Sequence, residues 1–300
     1  MLTSRRFIPI AIGTPTFETP KMKIYKLKSG ILVESSDQFY LFENYVWDHF
    51  INDDQLYQKL KSLVQQKEPV ENGLTLLQNE LQAPIGSQEI WASGVTYFNS
   101  KLARQEESEA AGGGDFYARV YVAERPELFF KGTAHRCVGS GQAVRIRKDS
   151  TWNVPEPELT LLLTSSGKIV GYTIGNDMSS RSIEGENPLY LPQAKTYDGS
   201  AAIGPCIYVS EWAFPSDSEI HLVMHRDGAV VFEGKTSVSQ MKRSPEELAE
   251  WLFRELSFPQ GCFLMTGTGI IPTKDFTLEP GDEIRITIER IGTLVNFVSL

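Results

Sequence analysis

Three carboxylates mark the stretch of this sequence with the most chemical content. Glu156 and Glu158 flank Pro157 and open an apolar run, LTLLLT. A polar Ser165-Ser166-Gly167 step joins that run to a second one, KIVGYTIGND, which ends in Asp177. Two β-rich apolar runs around a small glycine-containing turn predict a hairpin. Residues i and i+2 of a strand share a face, so Glu156 and Glu158 point the same way. Pro157 cannot donate to a ladder, which places it at an edge or at the start of its strand. With a two-residue Ser166-Gly167 turn, paired residue numbers sum to 333 and Asp177 lies opposite Glu156. A three-residue turn shifts the pairing by one and still delivers Asp177 to the same end. Three ionised carboxylates in one place raise one another's proton affinity, and a divalent cation would remove that cost. An all-oxygen donor set suits Mg²⁺, Mn²⁺ or Ca²⁺ better than zinc or copper. The plain alternative is a solvated acidic strand end.

Other residues could contribute chemistry, each with a simpler alternative. Lys195 lies in QAKTYD, after Pro188 and Pro192. Beside a bound cation its pKa would fall and it could transfer protons; otherwise it is a surface lysine paired with Asp198. In RPELFFK (residues 125–131), Glu127 or Lys131 could face inward, or the run is an edge strand of alternating charge. Thr266-Gly267-Thr268-Gly269 follows the apolar CFLM, and its amides and hydroxyls could hold a substrate carboxylate. It lacks the glycine spacing and following helix of a dinucleotide site, and taken alone it reads better as a turn between strands. The four histidines, His49, His135, His221 and His225, show no zinc-protease spacing, and no GxSxG nucleophile elbow occurs.

The elements that must position these groups are mainly strands. Residues 22–46 predict short strands KIYKL, ILVES and FYLFENY, separated by turns at Lys28-Ser29-Gly30 and Ser36-Asp37. Residues 53–66 place Leu56, Leu60, Leu63 and Val64 on one helical face, until Pro69 and Asn72-Gly73 interrupt. A break near Ala83-Pro84 divides the chain into residues 1–84 and 85–300. Beyond it, EIWASGVTY predicts a strand and NSKLARQEESEA a polar helix. Gly112-Gly113-Gly114 ends that helix as a flexible loop or a hinge. Ser244, Pro245 and Glu247 form a capping box for a helix with Leu248, Trp251, Leu252 and Leu256 on one face, closed by Pro259 and Gly261. The last segment, LEPGDEIRITIERIGTLVNFVSL, is a turn and a hairpin. The fold class is α+β.

Composition narrows the partners. The 300 residues carry 29 Lys+Arg against 38 Asp+Glu, a formal net charge of −9. Such a chain lacks the counterion-release term that drives nucleic-acid binding. A local cation can still let it take a small anion. The three cysteines, Cys137, Cys206 and Cys262, form no CxxC pair and predict reduced thiols. No run of 18 apolar residues predicts a membrane span. Arg5 and Arg6 precede a stretch broken by Pro9, Gly13 and Pro15, so no signal peptide is expected and the cytoplasm is the default.

Residues 85–300 resemble the fumarylacetoacetate hydrolase superfamily. The resemblance rests on Glu156/Glu158, GYTIGNDMSSR with Asp177, the lysine of AKTYD, Gly204-Pro205, TGTG at 266–269 and the LEPGDEI turn. AERPELFFK, RCVGSG, WNVPEPEL and ENPLYLPQAKTYDG resemble its 2-keto-3-deoxy-D-arabinonate dehydratase branch. The resemblance implies a small N-terminal α+β domain and a larger C-terminal mixed β-roll. It implies one divalent ion, Mg²⁺ before Mn²⁺ or Ca²⁺, on Glu156, Glu158 and Asp177. Lys195 would be the base or the enolate stabiliser, and Glu127 would protonate a leaving hydroxyl. Tyr97, Lys131 and Thr268 would hold a small 2-keto acid substrate. The hydrolases carry a histidine shortly after the segment that matches Gly94–Lys101, and none occurs here. That favours a dehydratase of a 2-keto-3-deoxy sugar acid over the alternatives on this scaffold, an acylpyruvate hydrolase or an oxaloacetate decarboxylase. A homodimer or homotetramer is expected.

Overall fold

The computed structural model describes residues 21–100 and 114–300, with backbone alone for residues 114–117. The Arg5–Pro15 stretch, the predicted helix NSKLARQEESEA beyond Ser100, and Gly112-Gly113 lie outside the described residues. The chain opens with a meander, β1 (Met22–Lys26), β2 (Ile31–Ser35) and β3 (Gln38–Phe42). Three helices follow, α1 (Trp47–Ile51), α2 (Leu56–Gln65) and α3 (Gly73–Glu80). Next come β4 (Glu89–Gly94), α4 (Gly114–Val122), β5 (Glu127–Thr133) and the short β6 (Cys137–Val138), β7 (Ala143–Arg145) and β8 (Asn153–Val154). The predicted hairpin is β9 (Pro157–Leu163) and β10 (Ile169–Asp177). After β11 (Ser179–Ser180), α5 (Arg181–Glu186) and α6 (Leu191–Lys195) lead to β12 (Ala201–Val209), β13 (Glu219–Arg226) and β14 (Ala229–Ser237). The chain closes with α7 (Pro245–Phe253), β15 (Cys262–Met265), β16 (Glu283–Ile288) and β17 (Gly292–Ser299).

One large sheet runs β3-β2-β1-β12-β10-β9-β15-β4-β5, and a second runs β14-β13-β16-β17-β7. The N-terminal meander therefore extends the large sheet through the antiparallel β1–β12 pair. Both faces of β9 are covered, and every residue of it is buried. Leu159, Leu161 and Leu163 face a core shared with Ile220, Leu222 and Ile286 of the second sheet. Leu162 faces the other core, with Phe50, Leu56 and Leu60 of the N-terminal helices. Burying leucine or isoleucine side chains of this size contributes about 1.5–3 kcal/mol each, which holds the layers together.

The hairpin register combines both expected turns. The tip is a three-residue loop, closed by Thr164 N to Lys168 O at 3.0 Å. Ile169 opposes Leu163, and an irregularity between Ile169 and Gly171 then restores the pairing of Tyr172 with Leu161 and of Asn176 with Pro157. The loop is fastened to the N-terminal unit. Ser165 N donates to Asn52 Oδ1 at 2.8 Å, and Thr164 Oγ1 and Ser166 Oγ donate to Asp54 Oδ1 at 2.5 and 2.8 Å.

Two elements stop earlier than their sequence patterns suggest. The EIWASGVTY strand ends at Gly94 because Val95 takes φ +54°, a left-handed conformation costly for a β-branched residue. The Ser244-capped helix accepts Glu247 N on Ser244 Oγ as expected but ends at Phe253. Leu256, placed on its buried face by periodicity, is exposed beyond the helix end.

Candidate metal centre and active site

The open end of the β9–β10 hairpin gathers the three acidic residues. Asp177 N donates to Glu156 O at 3.0 Å, continuing the ladder past β9. One carboxylate oxygen from each of Glu156, Glu158 and Asp177 lies within 4.8 Å of the others. All three are at most 4% exposed. This is a buried cluster, not a solvated strand end.

Each carboxylate has one oxygen tethered by a different donor. Arg181 Nη2 holds Glu156 Oε1 at 2.5 Å. Lys131 Nζ holds Asp177 Oδ1 at 2.6 Å. The Gly267 amide holds Glu158 Oε2 at 2.5 Å. Gly267 has φ +93°, and a Cβ there would lie 2.0 Å from Thr96 Oγ1 and 2.9 Å from Ser93 O. Only glycine brings this amide onto Glu158 without a clash. The TGTG amide thus serves an acidic side chain of the protein, not the substrate carboxylate that the sequence suggested.

Lys195 is fully buried and is not the surface partner of Asp198, which pairs with Arg136 at 3.5 Å. Its Nζ donates to Glu156 Oε2 at 2.7 Å, Asp177 Oδ2 at 3.0 Å and Ser179 Oγ at 2.6 Å. Lysine therefore meets the untethered oxygens of two of the three carboxylates. Burial drives the Glu158 carboxyl well above its ordinary range, and the charges of Asp177 and Glu156 push it further. Lys195 and the Gly267 amide oppose that rise. Three buried, all-oxygen donors whose ionisation is resisted in this way fit a hard divalent cation.

A small pocket over the carboxylates is walled by Ser93, Gly94, Val95, Phe129 and Thr268, with Lys195 and Arg181 at its base. Thr268 Oγ1 is already turned to the backbone of Ile270. Glu127 lies on β5 directly opposite Gly94. Its carboxylate packs where a Cβ on Gly94 would come within 2.1 Å of Oε2, so it lies directly behind the Gly94 backbone that walls the pocket, without bordering the pocket itself. Tyr97 is buried, and its hydroxyl makes no hydrogen bond among the described residues. Burial, then the charge of Glu158, hold that phenol far above its usual range. A larger groove of about 910 Å³ lies elsewhere, at the turn end of the hairpin beside Asp54, Tyr57, Trp212 and Phe253.

Lys131 was expected on the substrate. It is fully buried and does not border the pocket. Its ammonium is committed to Asp177 Oδ1, Met178 O and the carbonyl of Lys195. Burial pushes its pKa down, and Asp177 pushes it back up.

Sequence reasoning missed Arg181, Glu184, Ser179 and Phe129. Arg181 is 1% exposed and joins Glu156 to Glu184, whose Oε2 is 3.8 Å from Arg181 Nη1. A signal was present. Continuing the strand alternation past Asp177 through Met178-Ser179-Ser180-Arg181 places Ser179 and Arg181 on its face. Phe129, whose ring centroid is 5.6 Å from Lys195 Nζ, shares the parity of Glu127 and Lys131.

A carboxylate triad with a buried lysine, set at the open end of a hairpin in a two-sheet β-roll, defines a metal-centred enzyme scaffold. Residues 90–299 match the family profile described as fumarylacetoacetate (FAA) hydrolase C-terminal. The chain belongs to the fumarylacetoacetate hydrolase family. It is 50% identical over 217 residues to a Haloferax volcanii protein named a probable 2-keto-3-deoxyxylonate dehydratase, covering 72% of this chain and 74% of that one. It is 47% identical over 214 residues to the 2-dehydro-3-deoxy-D-arabinonate dehydratase of Saccharolobus solfataricus, covering 71% and 72%. A solved structure of 2-keto-3-deoxy-D-arabinonate dehydratase complexed with magnesium and 2,5-dioxopentanoate superposes with a TM-score of 0.77. It is 35% identical, and the match covers 93% of this chain and 98% of that one.

Proposed function

We propose that this protein is a magnesium-dependent hydro-lyase that removes water from a 2-keto-3-deoxy sugar acid. The favoured substrate is 2-keto-3-deoxy-D-arabinonate, and the product is 2-oxoglutarate semialdehyde, which is 2,5-dioxopentanoate. The observation that carries the reading is the buried triad of Glu156, Glu158 and Asp177 touching Lys195. The two dehydratase relatives support the reaction class.

Glu156, Glu158 and Asp177 would hold the ion, which when bound supplies Lewis-acid polarisation of the substrate's 2-keto group. Lys195 is the group placed to take the C3 proton or to hold the enolate that forms. Glu127, packed against Gly94, gives a proton to the departing C4 hydroxyl. Loss of that hydroxyl with the C3 proton leaves a C3–C4 double bond. A further proton removed from C5 and one returned to C3 leaves the C4–C5 enol, which becomes the aldehyde as C4 takes a proton and the C5 hydroxyl loses one. Glu127, left as a carboxylate after the first step, can serve that second removal. Tyr97 and Thr268 orient the substrate, and the walls of the pocket exclude water.

Purified protein is assayed with 2-keto-3-deoxy-D-arabinonate and Mg²⁺, before and after chelation. The expected outcome is semialdehyde formation that stops with chelator and returns with Mg²⁺. Turnover untouched by thorough chelation would falsify the metal role. Silence with Mg²⁺ present sinks the substrate assignment, and pyruvate as product favours cleavage or decarboxylation instead. The same reading divides the chain at residue 84 into an N-terminal unit and a catalytic unit. It expects a cytoplasmic homodimer or homotetramer, which light scattering tests. Among the described residues no helix is long and apolar enough to cross a membrane.

A further inference from the structure

We propose that Lys131 is a positioning residue that sets Asp177 and Lys195 together, and is not a substrate ligand. The inference deepens the function proposed above and rests on it. Lys131 sits on β5, at the edge of the large sheet, yet its side chain has 0% exposure. An ammonium offers three N–H donors and no acceptor. Two donate here, to Met178 O at 2.9 Å and to the Lys195 carbonyl, and the ammonium pairs as an ion with Asp177 Oδ1 at 2.6 Å. The residue does not border the pocket.

The three partners belong to two separate pieces of chain. Asp177 and Met178 stand at the end of β10. Lys195 is the last residue of the five-residue helix α6, where a carbonyl has no intrahelical partner. One ammonium therefore ties the strand that presents a metal-ligand carboxylate to the helix that presents the reactive lysine. It also selects between the two oxygens of Asp177. Oδ1 is held by Lys131, and Oδ2 is left toward Lys195 Nζ. Partners that orient a ligating carboxylate usually matter for ion affinity by about 10–100-fold. A group with that role acts before substrate arrives.

The test uses the full-length protein, with K131M and K131R. Mn²⁺ binding is measured by calorimetry without substrate, and kcat and KM are measured at saturating Mg²⁺. K131M is expected to weaken Mn²⁺ binding by about 10–100-fold. It should also lower kcat, with KM at saturating Mg²⁺ within about twofold of wild type. K131R keeps the charge, but a planar fork cannot meet three diverging partners, so it should recover only part of the affinity. A KM raised about tenfold or more with unchanged Mn²⁺ affinity in K131M marks a substrate ligand and overturns the proposal. Should circular dichroism show K131M unfolded, K131R decides: wild-type Mn²⁺ affinity in K131R overturns the proposal, and weakened affinity supports it. Because ion binding is read without substrate, wild-type protein that binds Mn²⁺ yet dehydrates nothing sinks the dehydratase reading alone.

Discussion

The two ends of the β9–β10 hairpin both carry carboxylates, and their environments move them in opposite directions. At the turn end, Asp54 is exposed and accepts hydrogen bonds from Thr164 and Ser166. Those bonds hold its carboxyl below the ordinary range. At the open end, Glu158 also accepts a short hydrogen bond, from the Gly267 amide, but burial and two neighbouring carboxylates drive its carboxyl upward. The chemistry of the side chain is nearly the same in both places. What differs is water: solvated, a hydrogen-bonded carboxylate is content as an anion, whereas desolvated among like charges it needs a cation. The sheet thus places a structural clasp at one end of a hairpin and a binding site at the other.

The largest expected effect comes from removing the cation already touching the buried end. Lys195→Ala should lower turnover by about 10²–10⁴-fold, the usual range for losing a proton-transfer group, while Mn²⁺ binding and circular dichroism persist. Retained turnover would remove Lys195 from the chemistry. Next, Glu158→Gln should weaken Mn²⁺ binding by about 100-fold or more, beyond what an orienting neighbour costs. Asp54→Asn should leave that binding within about twofold; equal effects at both ends would break the comparison.

Acidity separates the two ends further. The Glu158 pKa is raised above its ordinary 4.5 in the metal-free fold, so its contribution to stability is full below that value and is lost as pH rises through the raised value. Asp54 behaves oppositely: its contribution is present above the ordinary 3.8 and is lost as pH falls toward its lowered value. An ion at the open end requires ionised Glu158, so the gain in Tm from saturating Mg²⁺ should grow from pH 5 to pH 8, read by calorimetry at about those two values. A gain independent of pH would contradict the raised carboxyl. The smallest effect belongs to Asp54→Ala. Solvent screening limits it to under about 1 kcal/mol in denaturant unfolding, with no change in turnover.

Much of the hairpin was legible in the sequence. Alternation along β9 and β10 brought Glu156, Glu158 and Asp177 to one end, whichever turn closed the loop. The structure uses a three-residue tip and then an irregularity that restores the simpler pairing. The Ser244 cap was equally legible, because capping is a contact between residues three apart. Lys195 was ambiguous, since nothing in QAKTYD says whether α6 turns its last side chain toward solvent or toward the acidic cluster. Lys131 was open in the same way. Its run could face inward or be an edge strand of alternating charge, and which buried groups it would meet depended on how β5, β10 and α6 pack.

By itself, then, the sequence determined the α+β class, the hairpin, the common face of its three carboxylates and the family to which the chain belongs. The elements follow from local periodicity and turn chemistry, which act over a few residues, and the family from the order of motifs along the chain. The tertiary structure alone decided that the cluster is buried, and that Arg181, Lys131 and the Gly267 amide each tether one of its oxygens. It alone joined β1 to β12, so that the N-terminal strands extend the catalytic sheet. Such contacts join residues far apart in the chain, and desolvation, which sets the proton affinity of Glu158, is a property of the packed surroundings and not of any one segment.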